Sequence, residues 1–205
     1  MGLDNAYIKA VESMSRVDPR AAALAGGVEY REDRFIIPLF DRTYTVHFPS
    51  CETAQIGSCN HVPGVVEVIL LHYLIHAEGA AVSGNWISYR QLPGAKLFEQ
   101  RFINMVIHPM LDCFDNDVNS FREAAQALGG QVMKTSGDAA FRFNALPRLP
   151  IACIFNKGEG DIPSAASILF DDSASHYLPT EDLSILGGIM SSFMKDIVKT
   201  DCRKM

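Results

Sequence analysis

The sequence predicts an α+β fold, with a mostly antiparallel sheet (an N-terminal meander plus a C-terminal strand cluster) packed on a central buried helix and a helical block. Three observations predict it. The β-rich runs fall into two groups separated by helical segments, instead of alternating with helices as βαβ units would. One run, VVEVILLHYLIHAEG, is apolar nearly all round, the pattern of a helix enclosed on every side. A chain of 205 residues, 48% hydrophobic and 20% charged, has material for one sizeable core, so residues 1–205 are expected to form a single domain.

The elements follow in order. Asp4 to Ala25 reads as two helical pieces, because Asp18-Pro19 is an N-cap followed by a first-turn proline with no N–H to lose. Gly26-Gly27 ends the second piece, since glycine takes the left-handed C-terminal conformation without a Cβ clash. Val28–Arg31, Arg34–Phe40 and Thr43–Phe48 then form the meander, turning at Glu32-Asp33 and Asp41-Arg42. A polar loop covers Pro49 to Asn60, Pro63 opens the central helix and Gly79 closes it. A strand-like run at Trp86–Tyr89 precedes a turn at Pro93-Gly94. Leu97 to Phe114 reads as a helix broken near Pro109, and Asp117 to Leu128 as another, ending at Gly129-Gly130. Ala139–Ala145 alternates with Phe141 and Phe143 on one face and Arg142 and Asn144 on the other. Pro150–Phe155 and Ser167–Phe170 are two more strands, and Thr180 starts a last helix running to about Lys199.

A formal net charge of −6 lacks the cationic footprint that phosphates require, so a nucleic-acid partner is not expected. The most apolar stretch, Val65 to Ile75, is interrupted by Glu67 and His72 and is far shorter than the ~20 residues of a membrane span. No basic region followed by an apolar run opens the chain, and five cysteines without paired spacing read as free thiols. A cytoplasmic location is therefore expected. Cys113 and Cys153 sit in apolar surroundings and read as core residues, with Cys51 and Cys59 as the exposed pair.

No dinucleotide, P-loop, nucleophile-elbow, zincin or EF-hand motif occurs, so the sequence does not name a reaction. Three constellations remain. His72 and His76 stand four apart on one face of the central helix, where they could share a metal or clasp the axial side of a tetrapyrrole, with Cys59 and His61 upstream completing such a site if the loop folds back. The plain alternative is two ordinary polar positions. LFDDSASHYLPTED joins a strand end to a helix start, a common place to hold a ligand. There Asp171 and His176 could form an acid–base pair, with Tyr177 beside them, or the polar residues could simply be caps. SGNWISYRQLPG sets the only tryptophan, Trp86, beside Ser88, Tyr89 and Arg90. An aromatic with a guanidinium suits a planar or carboxylate-bearing ligand, though a buried plug would use the same residues. Arg142 and Arg148 could face the same place.

The segments ILLHYLIHAEG, NWISYRQLPG, GDAAFRFNALPRLP and ILFDDSASHYLPTEDL together resemble an uncharacterised prokaryotic family, domain of unknown function 3786. The similarity runs from about Ala21 to Val198, with RQLPG and SASHYLPTED its most specific parts. The resemblance implies a setting in anaerobic bacteria and archaea, near corrinoid and carbon-monoxide metabolism, with a redox or corrinoid protein as partner. Some members carry a cysteine-rich iron–sulfur segment that this chain lacks, and the family transfers no catalytic residue. The resulting expectation is a small-ligand-binding accessory domain of anaerobic one-carbon or redox-cofactor metabolism, taking a corrinoid or haem. Its site residues would be Trp86, Ser88, Arg90, Arg148, Asp171, His176 and Tyr177, with His72 and His76 toward a metal. The alternatives are a small metal-independent enzyme using the Asp171–His176 pair, or a structural interaction subunit.

Overall fold

In the computed structural model, which describes residues 2–135 and 137–202, local chemistry sets most element ends. Asp18 caps helix α2 (Pro19–Gly26) by accepting from the N–H groups of Arg20 and Ala21, and Gly27 leaves it at φ 66°. Helix α1 (Leu3–Met14) precedes it. Strands β1 (Glu29–Arg31), β2 (Arg34–Leu39), β3 (Arg42–His47) and β4 (Thr53–Gln55) form an antiparallel sheet in that order. Glu32 and Asp33 both take positive φ in the first hairpin, which matches the twist of the flanking strands. β4 lies inside the expected polar loop. Its three residues carry no apolar alternation, and only pairing with Tyr44 to Val46 makes them a strand.

Helix α3 (Gly64–His76) buries Val66, Val68, Ile69, Leu70, Leu71, Tyr73 and Leu74. It stops short of Gly79 because Ala77 turns to ψ 118° and the Glu78 N–H donates to the His176 carbonyl at 3.0 Å. Tyr73 donates its hydroxyl to the Gly26 carbonyl (2.6 Å) and accepts from the Arg148 N–H (3.1 Å), tying α3 to α2 and to the turn before Leu149.

A second antiparallel sheet has the order β5-β9-β8-β7-β6. It comprises β5 (Trp86–Ser88), β6 (Gln131–Val132), β7 (Ala139–Leu146), β8 (Leu149–Asn156) and β9 (Ala165–Asp171). The break expected near Pro109 is a π-helical turn, Ile103–Ile107, set between α4 (Glu99–Phe102) and α5 (His108–Phe114). Proline lacks the N–H that the regular ladder needs, and a wider turn absorbs the loss. Helix α6 (Val118–Ala127), capped by Asp117, places Phe121 against Phe141 and Phe155, and α7 (Thr180–Cys202) closes the chain past Lys199. The rest of the expected polar tail lies outside the described residues.

The fold is α+β. Its buried apolar residues form one contiguous cluster that includes Phe35, Ile37 and Val46 of the first sheet, Ile69 and Leu70 of α3, and Phe143, Ile151 and Phe170 of the second. The Phe40 N–H donates to the Ala145 carbonyl at 3.0 Å and joins the two sheets directly. Among the described residues, no helix is long and apolar enough to cross a membrane.

Candidate functional site

The segment at Trp86 and the strand end at Asp171 meet through backbone pairing. β5 joins the edge of the second sheet beside β9, with Trp86 opposite Asp171, Ile87 opposite Phe170 and Ser88 opposite Leu169. Asp171 is fully buried and accepts from the N–H groups of Ser83 (3.1 Å), Gly84 (2.7 Å) and Ser173 (3.1 Å) and from the Ser173 hydroxyl (2.5 Å). Burial alone would raise its pKa, but these four donors, the Ser173 hydroxyl foremost, outweigh it and the net shift is downward. The carboxylate is a latch between the loops, with its lone pairs already committed.

His176 is not Asp171's partner. Its Nδ1 pairs with Glu78 Oε2 at 2.7 Å, with both side chains largely exposed. Tyr177 is fully buried, stacks on Tyr73 and donates its hydroxyl to the Ala80 carbonyl, leaving no polar atom for a ligand. Arg148 turns the other way, its Nη1 donating to the Gly79 carbonyl at 3.3 Å. Arg90 reaches into solvent beside Glu99, Nε to Oε1 being 3.7 Å. Ser88 is held by Gln91, its hydroxyl and N–H both donating to Gln91 Oε1 at 2.9 Å. The acid–base pair and most of the loop ligand set are thus bound to other partners. Trp86 is the exception. It lines a trough of about 330 Å³ with Val82, Met133, Arg142 and Pro150.

A second concavity, about 470 Å³, lies between α1, α3, the π-helical turn and α7. Val65, Val66, Val68, Ile185, Ile189 and Phe193 supply apolar walls, and Arg101 and Glu181, paired at 2.8 Å, stand at its edge. His72 is part of the wall. Its Nδ1 lies 2.6 Å from Oδ2 of Asp182, a nearly buried carboxylate in the first turn of α7, and Nε2 has no protein partner among the described residues. A carboxylate on Nδ1 holds the proton there and leaves the Nε2 lone pair free, the tautomer in which imidazole ligates a metal or accepts a proton.

His76 sits next to His72, ring centroids 5.7 Å apart, but is exposed and not part of that wall. Partial desolvation, and then the neighbouring imidazole, push its pKa down. Among the described residues no three of His, Cys, Asp and Glu gather as a metal group, so Cys59 and His61 do not complete a site with the histidines. The cysteine assignment needs correction too. Cys51 is buried, not exposed, because the left-handed turn after Pro49 folds it inward, and its Sγ donates to the Pro49 carbonyl. Cys153 is core as expected, its thiol pushed up to about 12 by burial.

Asp182, in the first turn of α7, suits a helix start by its charge, and that alone does not mark it as the partner of His72. The available signal was His72 itself: a polar residue on an otherwise apolar buried helix needs a partner from elsewhere in the chain.

No curated protein and no solved structure matches the chain. A family model described as a domain of unknown function (DUF3786) matches residues 18–192, and the chain belongs to that family.

Proposed function

We propose that this protein is a small-ligand-binding accessory domain whose ligand is a planar, largely apolar tetrapyrrole of the corrinoid or haem type, held in the α1–α3–α7 groove. The supporting observation is His72, its Nδ1 fixed by Asp182 at 2.6 Å and its Nε2 unpartnered, in the wall of an apolar concavity. The volume, about 470 Å³, is that of a cofactor site. Among the described residues no three of His, Cys, Asp and Glu gather there to hold a bare ion. A metal that arrives inside its own macrocycle needs from the protein only an axial donor and apolar walls. His72 would be that donor, Asp182 would fix its ring orientation, and Arg101 at the groove edge would meet the macrocycle's carboxylates. Such a group supplies redox or alkyl-transfer chemistry when bound; the chain supplies orientation and a dry wall. The setting in anaerobic one-carbon or redox-cofactor metabolism, with a redox or corrinoid protein as partner, rests on the family resemblance alone.

The test is anaerobic titration with haem and with cobinamide, followed by visible absorption. A saturable spectral shift is expected, abolished in His72→Ala, weakened in Asp182→Asn and retained in His176→Ala. Circular dichroism checks that each variant folds, and His72→Gln substitutes if His72→Ala does not. No shift with either probe, or one that survives loss of His72, overturns the reading. An acid–base enzyme finds less support, since Asp171 and His176 are each held by other groups.

A further inference from the structure

A second feature, independent of the groove, lies on the face of the five-stranded sheet opposite the side where Phe141 and Phe155 pack on Phe121. Cross-strand partners point to the same face. The register places Ser88, Leu169, Ala152, Arg142 and Gln131 in one row across five strands. Trp86 and Pro150 lie two residues along from Ser88 and Ala152 and so share that face. Small side chains on β8 make a floor, and the long side chains Trp86 and Arg142 rise at either side of it. Met133 and Val82 add to the lining of the resulting trough, about 330 Å³.

Arg142 is anomalous there. Its Nε is closed off from solvent and has no hydrogen-bond partner among the described residues, and the side chain takes part in no ion pair. A buried donor left unmade is costly, and native proteins keep few of them. The Nη groups of the same guanidinium are not closed off, and Arg142 lines the trough, so an acceptor can reach the guanidinium from there.

We propose that the trough is a binding site for a small monocarboxylate with a flat apolar body, an aromatic acid by chemical class. Its carboxylate takes the open Nη side of the Arg142 guanidinium, a match of planar groups, and its ring lies against Trp86 and the adaptable Met133. Asp171, also in the lining, sets the charge limit. Its oxygens are occupied by four donors but it remains an anion, so a dianionic phosphate is repelled where a single carboxylate at the far end is not.

Trp86 is the only tryptophan, so tryptophan fluorescence, excited selectively over the tyrosines, reports on this trough. The probes are benzoate, its neutral isostere benzamide, and inorganic phosphate, titrated into the full chain. Benzoate is expected to give a saturable change, with benzamide and phosphate at least roughly tenfold weaker. Arg142→Gln should weaken benzoate by roughly tenfold or more, and Arg142→Lys by less, since an ammonium keeps the charge but not the fork. The comparison of probes on the unaltered protein stands even if Arg142→Gln does not fold. No saturable change with benzoate, equal binding of benzamide or phosphate, or unchanged binding in a folded Arg142→Gln would overturn the proposal.

Discussion

Asp171 and Asp182 are both buried, and both stand near the start of a helical segment that follows β9, yet they do opposite things. Asp171 takes four hydrogen bonds from two loops and has nothing left to give. Asp182 takes one strong contact, from the His72 imidazole, whose other nitrogen has no protein partner among the described residues. A saturated carboxylate fixes backbone; a carboxylate that engages a single ring nitrogen transmits its charge to the other side of that ring. The β5–β9 junction is therefore a rigid tie, and the α3–α7 junction is where the proposed ligation would occur.

That contrast can be broken in order of effect. Asp171→Ala strands the donors of Ser83, Gly84 and Ser173 and should cost on the order of 3 kcal/mol or more, read from the urea midpoint. A loss below about 1 kcal/mol would show that the latch is not structural. Asp182→Asn should cost about 1–2 kcal/mol. Its amide can donate to Nδ1 and move the ring proton to Nε2, so a larger loss of ligand binding than of stability marks the second junction as functional. The pH dependence sharpens the first. Asp171 has a folded pKa below its unfolded value. Its stabilisation is complete above about pH 4 and is lost as pH falls through the lower folded value. The stability gap between the parent and Asp171→Asn should thus be wider at about pH 5 than at about pH 2; a constant gap would contradict the assigned shift. Smallest of all, Arg90→Ala removes an exposed 3.7 Å pair and should move stability by no more than ~0.5 kcal/mol.

What was legible in the sequence was local. Asp18-Pro19 and Gly27 bound α2 through hydrogen bonds and φ preferences within a few residues, and the alternation at Phe141 and Phe143 marks the buried face of β7. β4 and β6 were not legible, because strands of three and two residues exist only through their neighbours. The candidate site divides in the same way. The two candidate loops, at Trp86 and at Asp171, were legible as segments beside apolar runs, and they meet. The roles within it were not, because an Asp in a DDS run has one spelling whether it caps a turn or works on a substrate. Arg142 looked like an outward-facing strand residue. Its missing partner is visible only once five strands are in register.

His72 and Asp182 are separated by 110 positions, and the wall they share does not exist until α7 docks against α3. Such a long-range closure is entropically expensive and forms late relative to hairpins such as β2–β3. On the proposed reading, ligand capture in the groove would be a checkpoint on assembly as much as a binding event. A chain still lacking α7 would have the imidazole but not the carboxylate beside it, and would hold a cofactor poorly. Loading would then follow the docking of α7 on α3.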